Sequence, residues 1–208
     1  MPTDQLPRLL LLTDRSQLHL SRGLLPTLAE CRDAGLTHVV LRELDEPLAR
    51  RAALAIAAAD LGLTVIAAHT PLPGAAGLHL PAADGASPDV TACRPRGRSC
   101  HTRAEVARAA GEGFDYATLS PYAASDSKPG YGPPLGPGGL ADAVPDGRGI
   151  PVYALGGITT DNAAEAVAAG AYGVAVMGAV MRAADPAGVV RALIAAVGAV
   201  AEAAGAPA

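Results

Sequence analysis

Short apolar runs, each ended by small or polar residues, recur along the whole chain. The clearest set is IPVYALGGITTDNAAEAVAAGAYGVAVMGAVM at 150–181. Residues 150–155 carry branched and aromatic side chains without alternation, the pattern of a strand buried on both faces. Gly156-Gly157 breaks it, Asp161-Asn162 offers caps for a helix over 163–169, and Gly170 closes that helix. Residues 173–177 form a second buried strand ended by Gly178-Ala179, and Asp185-Pro186 precedes another Ala/Val-rich helix. Upstream the pattern predicts strands at 9–13, 38–41, 63–67, 78–80, 97–101 and 115–119. Helices are predicted at 21–34, 46–61 and 102–110, the last opened by a Thr102/Glu105 capping box. PLPGAAG leaves no room for a full helix between strands three and four, and 84–96 is a poorly defined connection. The stretch 120–139 is too rich in Gly, Pro and Ser for regular structure, so it reads as a functional lid or binding loop. Strands alternating with helices give a parallel α/β architecture, a single (β/α)8 TIM barrel spanning 1–208.

Composition narrows the function. Half of the 208 residues are hydrophobic, enough for one sizeable core. Cys31, Cys93 and Cys100 have neither disulfide nor zinc spacing, so no structural metal is expected. A net charge of -4, no Trp and a single Phe argue against nucleic acid. The apolar run near the N-terminus is far shorter than a signal or membrane segment needs, which predicts a cytoplasmic protein with no membrane partner.

Chemistry in such a barrel sits at the carboxyl ends of the strands. Those ends hold Asp14, Arg42-Glu43, His69, His79, His101, Ser120 and Tyr122 with Lys128, Gly157, and Gly178-Ala179. Two strands ending in small residues, one helix apart, leave bare backbone N–H groups near helix N-termini, as a phosphate requires. Either glycine pair alone is better read as a helix stop or tight turn. Asp14–Arg15 and Arg42–Glu43 could be local ion pairs, and a lone histidine is usually structural. Three of five histidines at or beside strand ends nevertheless make a site there the better reading.

The segments LLLLTD, VVLRE, GLHLP, SCHTRAE, DYATLSP with SDSK, and IPVYALGGIT with GVAVMGAV follow one another in a familiar order. Over nearly its whole length the chain resembles the thiamine phosphate synthase and thiazole tautomerase superfamily. That resemblance implies a barrel binding a small-molecule thiazole phosphate. It implies that Gly157 and the Met177, Gly178, Ala179 turn hold the phosphate through their backbone. Arg42 matches a substrate-binding arginine, and Lys128 a loop lysine that meets a pyrophosphate. The synthase also has an Asn-Asp pair after strand three and a carboxylate after strand four, which bind magnesium. Here strand three ends Ala68-His69, Leu44 replaces a synthase lysine, and only Asp84 is left as a match for a carboxylate. A histidine is a poor ligand for a hard cation. The tautomerase's histidine after strand six is Pro121 here, although Arg42-Glu43 and Leu80-Pro81 resemble that branch.

The expectation is therefore a metal-independent, tautomerase-like isomerase without cofactor. His69 or His79 would be its acid/base residue; Arg42, Glu43, Ser120, Tyr122, Lys128, Gly157, Met177, Gly178 and Ala179 would bind substrate. The alternative is a thiamine phosphate synthase joining an aminopyrimidine pyrophosphate to a thiazole phosphate, with magnesium only in that case. A second alternative is a non-catalytic binder of phosphorylated ligands. The oligomeric state stays open.

Overall fold

A computed structural model of the chain describes residues 6–19, 22–83, 93–127, 130, 132–144 and 149–203. Eight parallel strands close into a barrel in chain order: β1 Leu9–Leu12, β2 His38–Leu41, β3 Thr64–Ala68, β4 Gly77–Leu80, β5 Arg96–Cys100, β6 Tyr116–Leu119, β7 Val152–Leu155 and β8 Gly173–Val176. Register is continuous around the ring, from Leu11 beside Val39 to Leu11 beside Val176. The predicted (β/α)8 barrel is the observed fold.

Alternation along each strand sorts side chains into two cores. Leu10, Leu12, Val40, Ile66, Ala68, Tyr116, Tyr153 and Ala175 fill the barrel interior. Leu11, Val39, Val65, Leu78 and Val174 point outward beneath the helices, among them α1 Leu24–Asp33 and α2 Leu48–Asp60. Gly97 allows the interior to close: a Cβ there would lie 2.5 Å from His79 Nδ1 and would overlap the Tyr116 ring.

The capping box is present, with Glu105 N–H donating to Thr102 Oγ1 at 3.2 Å at the start of α3 Arg103–Gly111. Two expectations fail locally. The Gly/Pro-rich stretch contains a helix, α4 Gly136–Ala143, whose Pro137 sits in the first turn, where a missing N–H costs nothing. Asn162 does not cap α5 Ala163–Ala168. Its side chain instead accepts from Thr159 N–H at 2.8 Å and donates to Gly157 O at 2.9 Å, fastening the glycine turn. A short helix, α6 Gly178–Met181, follows β8 directly, and α7 Pro186–Ala203 completes the ring. α7 is long and apolar enough to cross a membrane, but it packs Val190, Leu193 and Val197 onto the barrel.

Candidate active site at the barrel mouth

A cavity of about 240 Å3 opens at the carboxyl ends of the strands. Its floor is Leu12, Leu155 and Ala175, and its walls are Arg42, Ser120, the 124–127 loop, Gly156–Thr159 and Met177–Ala179 with Arg182. Six of the sequence-predicted residues therefore meet in one place: Arg42, Ser120, Gly157, Met177, Gly178 and Ala179.

The two glycine turns are built differently. Gly156 and Gly157 have φ of +91° and +67°, a region glycine enters without steric cost. The loop after β6 crosses over them, with Tyr122 N–H donating to Leu155 O and Ala123 N–H to Gly156 O, each at 2.9 Å. A Cβ at 157 would lie 2.6 Å from the Ala123 carbonyl oxygen. At the other turn α6 starts on Gly178, and its backbone bonds begin with Val180 N–H to Met177 O. The N–H groups of Gly157, Gly178 and Ala179 have no acceptor among the described residues. They are the donors an anion would take.

The remaining candidates among the described residues lie outside the cavity. Glu43 is buried and accepts from Arg15 N–H at 3.1 Å, tying the ends of β1 and β2 together. Tyr122 is buried with its hydroxyl donating to Glu165 at 2.8 Å, and burial pushes that phenol up to about 12. His101 accepts no place in the cavity either; its ring shares a 2.9 Å hydrogen bond with Ser120 O. Lys128 and Asp84 lie outside the described residues.

The two histidines proposed for acid/base work differ sharply. His69 is exposed at the end of β3, in a left-handed backbone conformation with φ of +66°, its N–H donating to His79 O at 2.9 Å. His79 is buried inside the barrel, with Nδ1 3.0 Å from the Tyr116 hydroxyl and Nε2 3.0 Å from Ser99 Oγ. Burial, followed by the nearby charges of His69 and Arg98, lowers its pKa to about 3. It therefore does not exchange protons near neutrality, as the sequence reading assumed for it. Sequence reasoning also missed Arg182, whose guanidinium completes the cavity wall. Its only signal was its place four residues after Gly178, one helical turn on the same face.

The magnesium that the family resemblance implies would sit at the ends of β3 and β4. Ala68-His69 and Leu80-Pro81 supply no carboxylate, and no group of three His, Cys, Asp or Glu side chains gathers among the described residues. The described residues at these two strand ends alone do not supply the oxygens a hard cation seeks.

Residues 9–180 match a family model described as thiamine monophosphate synthase. The chain belongs to that family. A protein of Geobacter sulfurreducens provisionally named a thiamine-phosphate synthase is 38% identical over 207 residues, covering 90% of this chain and 92% of its own. The thiamine-phosphate synthase of Moorella thermoacetica is 36% identical over 162 residues, 78% of this chain and 68% of its own. Among solved structures, a thiamine phosphate pyrophosphorylase from Pyrococcus furiosus superposes with a TM-score of 0.80 at 23% identity, over 93% of this chain and 96% of that one. The last is a likeness of fold. The family resemblance read from the sequence is thus borne out.

Proposed function

We propose that this protein is a transferase of the thiamine-phosphate synthase type, joining an aminopyrimidine methyl pyrophosphate to a thiazole phosphate. The observation that carries this reading is the composition of the cavity. It offers an anion cup of backbone donors beside Arg42; among the described residues no histidine lines it, and its one carboxylate, Asp126, is 95% exposed. The isomerase favoured by the sequence alone must remove and return a ring proton, which calls for a positioned base. The transfer does not. The thiazole nitrogen bears no proton; its lone pair forms the new C–N bond while the C–O bond to pyrophosphate breaks, and the pyrophosphate leaves with that electron pair. What the protein must supply is orientation and charge at the two phosphates. The named relatives also favour the synthase over the isomerase.

In this reading Gly157, Gly178 and Ala179 hold the thiazole phosphate through their N–H groups. The apolar floor of Leu12, Leu155 and Ala175 receives the ring. Arg42, at the end of β2, offers its charge to the departing pyrophosphate.

The test incubates both precursors with enzyme, with and without Mg2+, and measures pyrophosphate and the joined product. Release that depends on both precursors is expected; its absence, with deuterium instead entering the thiazole ring, would return the isomerase. His69→Asn sharpens the choice. A transferase should keep its rate within about threefold, whereas loss of a general base costs about 10²- to 10⁴-fold.

A further inference from the structure

Arg182 lines the same cavity as Arg42, yet its partners do not neutralise it. Its Nη1 donates to Ser127 Oγ at 2.8 Å and to the Gln17 side-chain oxygen. Ser127 Oγ in turn donates to that same Gln17 oxygen at 2.9 Å, and the Gln17 amide nitrogen donates to Asp14 at 2.7 Å. The ring of bonds fixes the guanidinium with neutral oxygens. Among the described residues its one ion pair is with Asp126, 3.8 Å from Nη2 and 95% exposed, so solvent screens it. A hydrogen-bonded positive charge on the wall of a concave site, 39% exposed and with no buried counter-ion among the described residues, is an arrangement an anionic ligand can complete.

The second observation is the slot itself. The guanidinium lies flat against Gly178, where a Cβ would be 2.5 Å from Nη2 and 2.6 Å from Cζ. A larger residue at 178 would require the guanidinium to shift from this place. Gly178 has no positive φ among the chain's left-handed glycines, so backbone freedom does not require it here. Room for the guanidinium does.

We propose that Arg182 is a phosphate-binding residue of this cavity, and that it makes the site select a phosphorylated ring over the corresponding ring alcohol. This deepens the function proposed above and rests on the same cavity. Its anion chemistry can be probed separately from any turnover.

Calorimetric titrations would use inorganic phosphate, thiazole phosphate and the unphosphorylated thiazole alcohol. The proteins would be the parent, Arg182→Gln, Arg182→Lys, Gly178→Ala and, as a control for net charge, Arg191→Gln on the surface of α7. Arg182→Gln should weaken phosphate and thiazole phosphate about 10- to 100-fold, the loss of one charge-assisted contact, and leave the alcohol within about twofold. Arg182→Lys should recover part of the loss, Gly178→Ala should reproduce it, and Arg191→Gln should match the parent. Unchanged phosphate binding in Arg182→Gln would overturn the proposal. So would equal losses for the alcohol and the phosphate, which mark a packing role, or a parent that binds no phosphate at all. A parent that binds inorganic phosphate through Arg182 but not thiazole phosphate would uphold the anion site and sink the proposed substrate instead.

Discussion

Gly157 illustrates how one residue can answer to two demands. Its φ of +67° excludes most side chains, and the Ala123 carbonyl stands where a Cβ would be. It lines the cavity and its N–H has no acceptor among the described residues, while its carbonyl is held by Asn162. Gly157→Val should therefore do more than strain the backbone: it should lift the loop after β6 and open the cup. We expect a destabilisation on the order of 2–3 kcal/mol and loss of thiazole phosphate binding. Gly170→Ala is the matched control. Gly170 also has a left-handed φ, +109°, but nothing lies within 4 Å of its missing Cβ. That variant should suffer backbone strain of about 1 kcal/mol and keep full affinity. Chemical denaturation and calorimetry on both variants decide the matter: a Gly157→Val protein that still binds removes this glycine from the site. Glycine doublets after buried strands made this position readable in the sequence. Arg182 was not readable, because an arginine in a helix carries no local mark until the fold lays it across Gly178.

At the level of elements, all eight strands were placed within a residue or two, most of them because a strand buried on both faces is largely apolar, although β5 reads RGRSC with Arg96 and Arg98 buried. Helix starts were harder. Residues 102–105 spell out a capping box, and the structure contains it. α2 instead begins after Pro47 with no side-chain cap, so the run from Glu46 gave no stop at its true start. α4 was missed because four of its eight residues are Gly or Pro, and tertiary packing of Leu140 and Ala143 overrides that poor propensity. The capping box gives a test at this scale. Thr102→Ala removes the acceptor for Glu105 N–H and leaves the Glu105 carboxylate its two backbone donors, His101 N–H and Thr102 N–H. A loss of about 1 kcal/mol is expected, a fall in Tm of roughly 2–4 °C for a chain of this size. An unchanged Tm in scanning calorimetry would mean that packing of Val106 and Ala109 alone sets this helix.

Across the whole molecule, a polar aromatic column runs through the barrel from mouth to floor. His79 stacks on Tyr116 with ring centroids 5.5 Å apart, Tyr116 meets Tyr153 edge-on at 5.6 Å, and Tyr153 meets Tyr172 at 5.5 Å. At the floor the Tyr153 and Tyr172 hydroxyls donate to Pro7 O and Leu6 O, each at 2.5 Å. The sequence marked His79 only as a residue beside a strand end. Whether its ring faced the mouth or the interior depended on strand register and on Gly97, which a linear pattern does not reveal. Its burial has a consequence for the entire fold. In the unfolded chain this imidazole titrates at its ordinary value near 6.5, while in the folded barrel its pKa lies at about 3. Below pH 6.5 the unfolded state therefore binds the extra proton, so stability is fully present above that pH and is lost as pH falls toward 3. The groups facing the ring are Tyr116, Ser99, Arg98 and His69, none of which supplies a carboxylate to stabilise an imidazolium. His38, also lowered by burial, contributes in the same direction. Between pH 6.5 and 5, above the range where most carboxylates titrate, the His79 contribution approaches roughly 1.4 kcal/mol per pH unit. His79→Asn should be less stable at pH 7.5 but lose distinctly less on acidification to pH 5, because it has no ring to protonate. Urea unfolding of both proteins across that interval measures the two slopes; equal slopes would mean that His79 is not held neutral by the barrel.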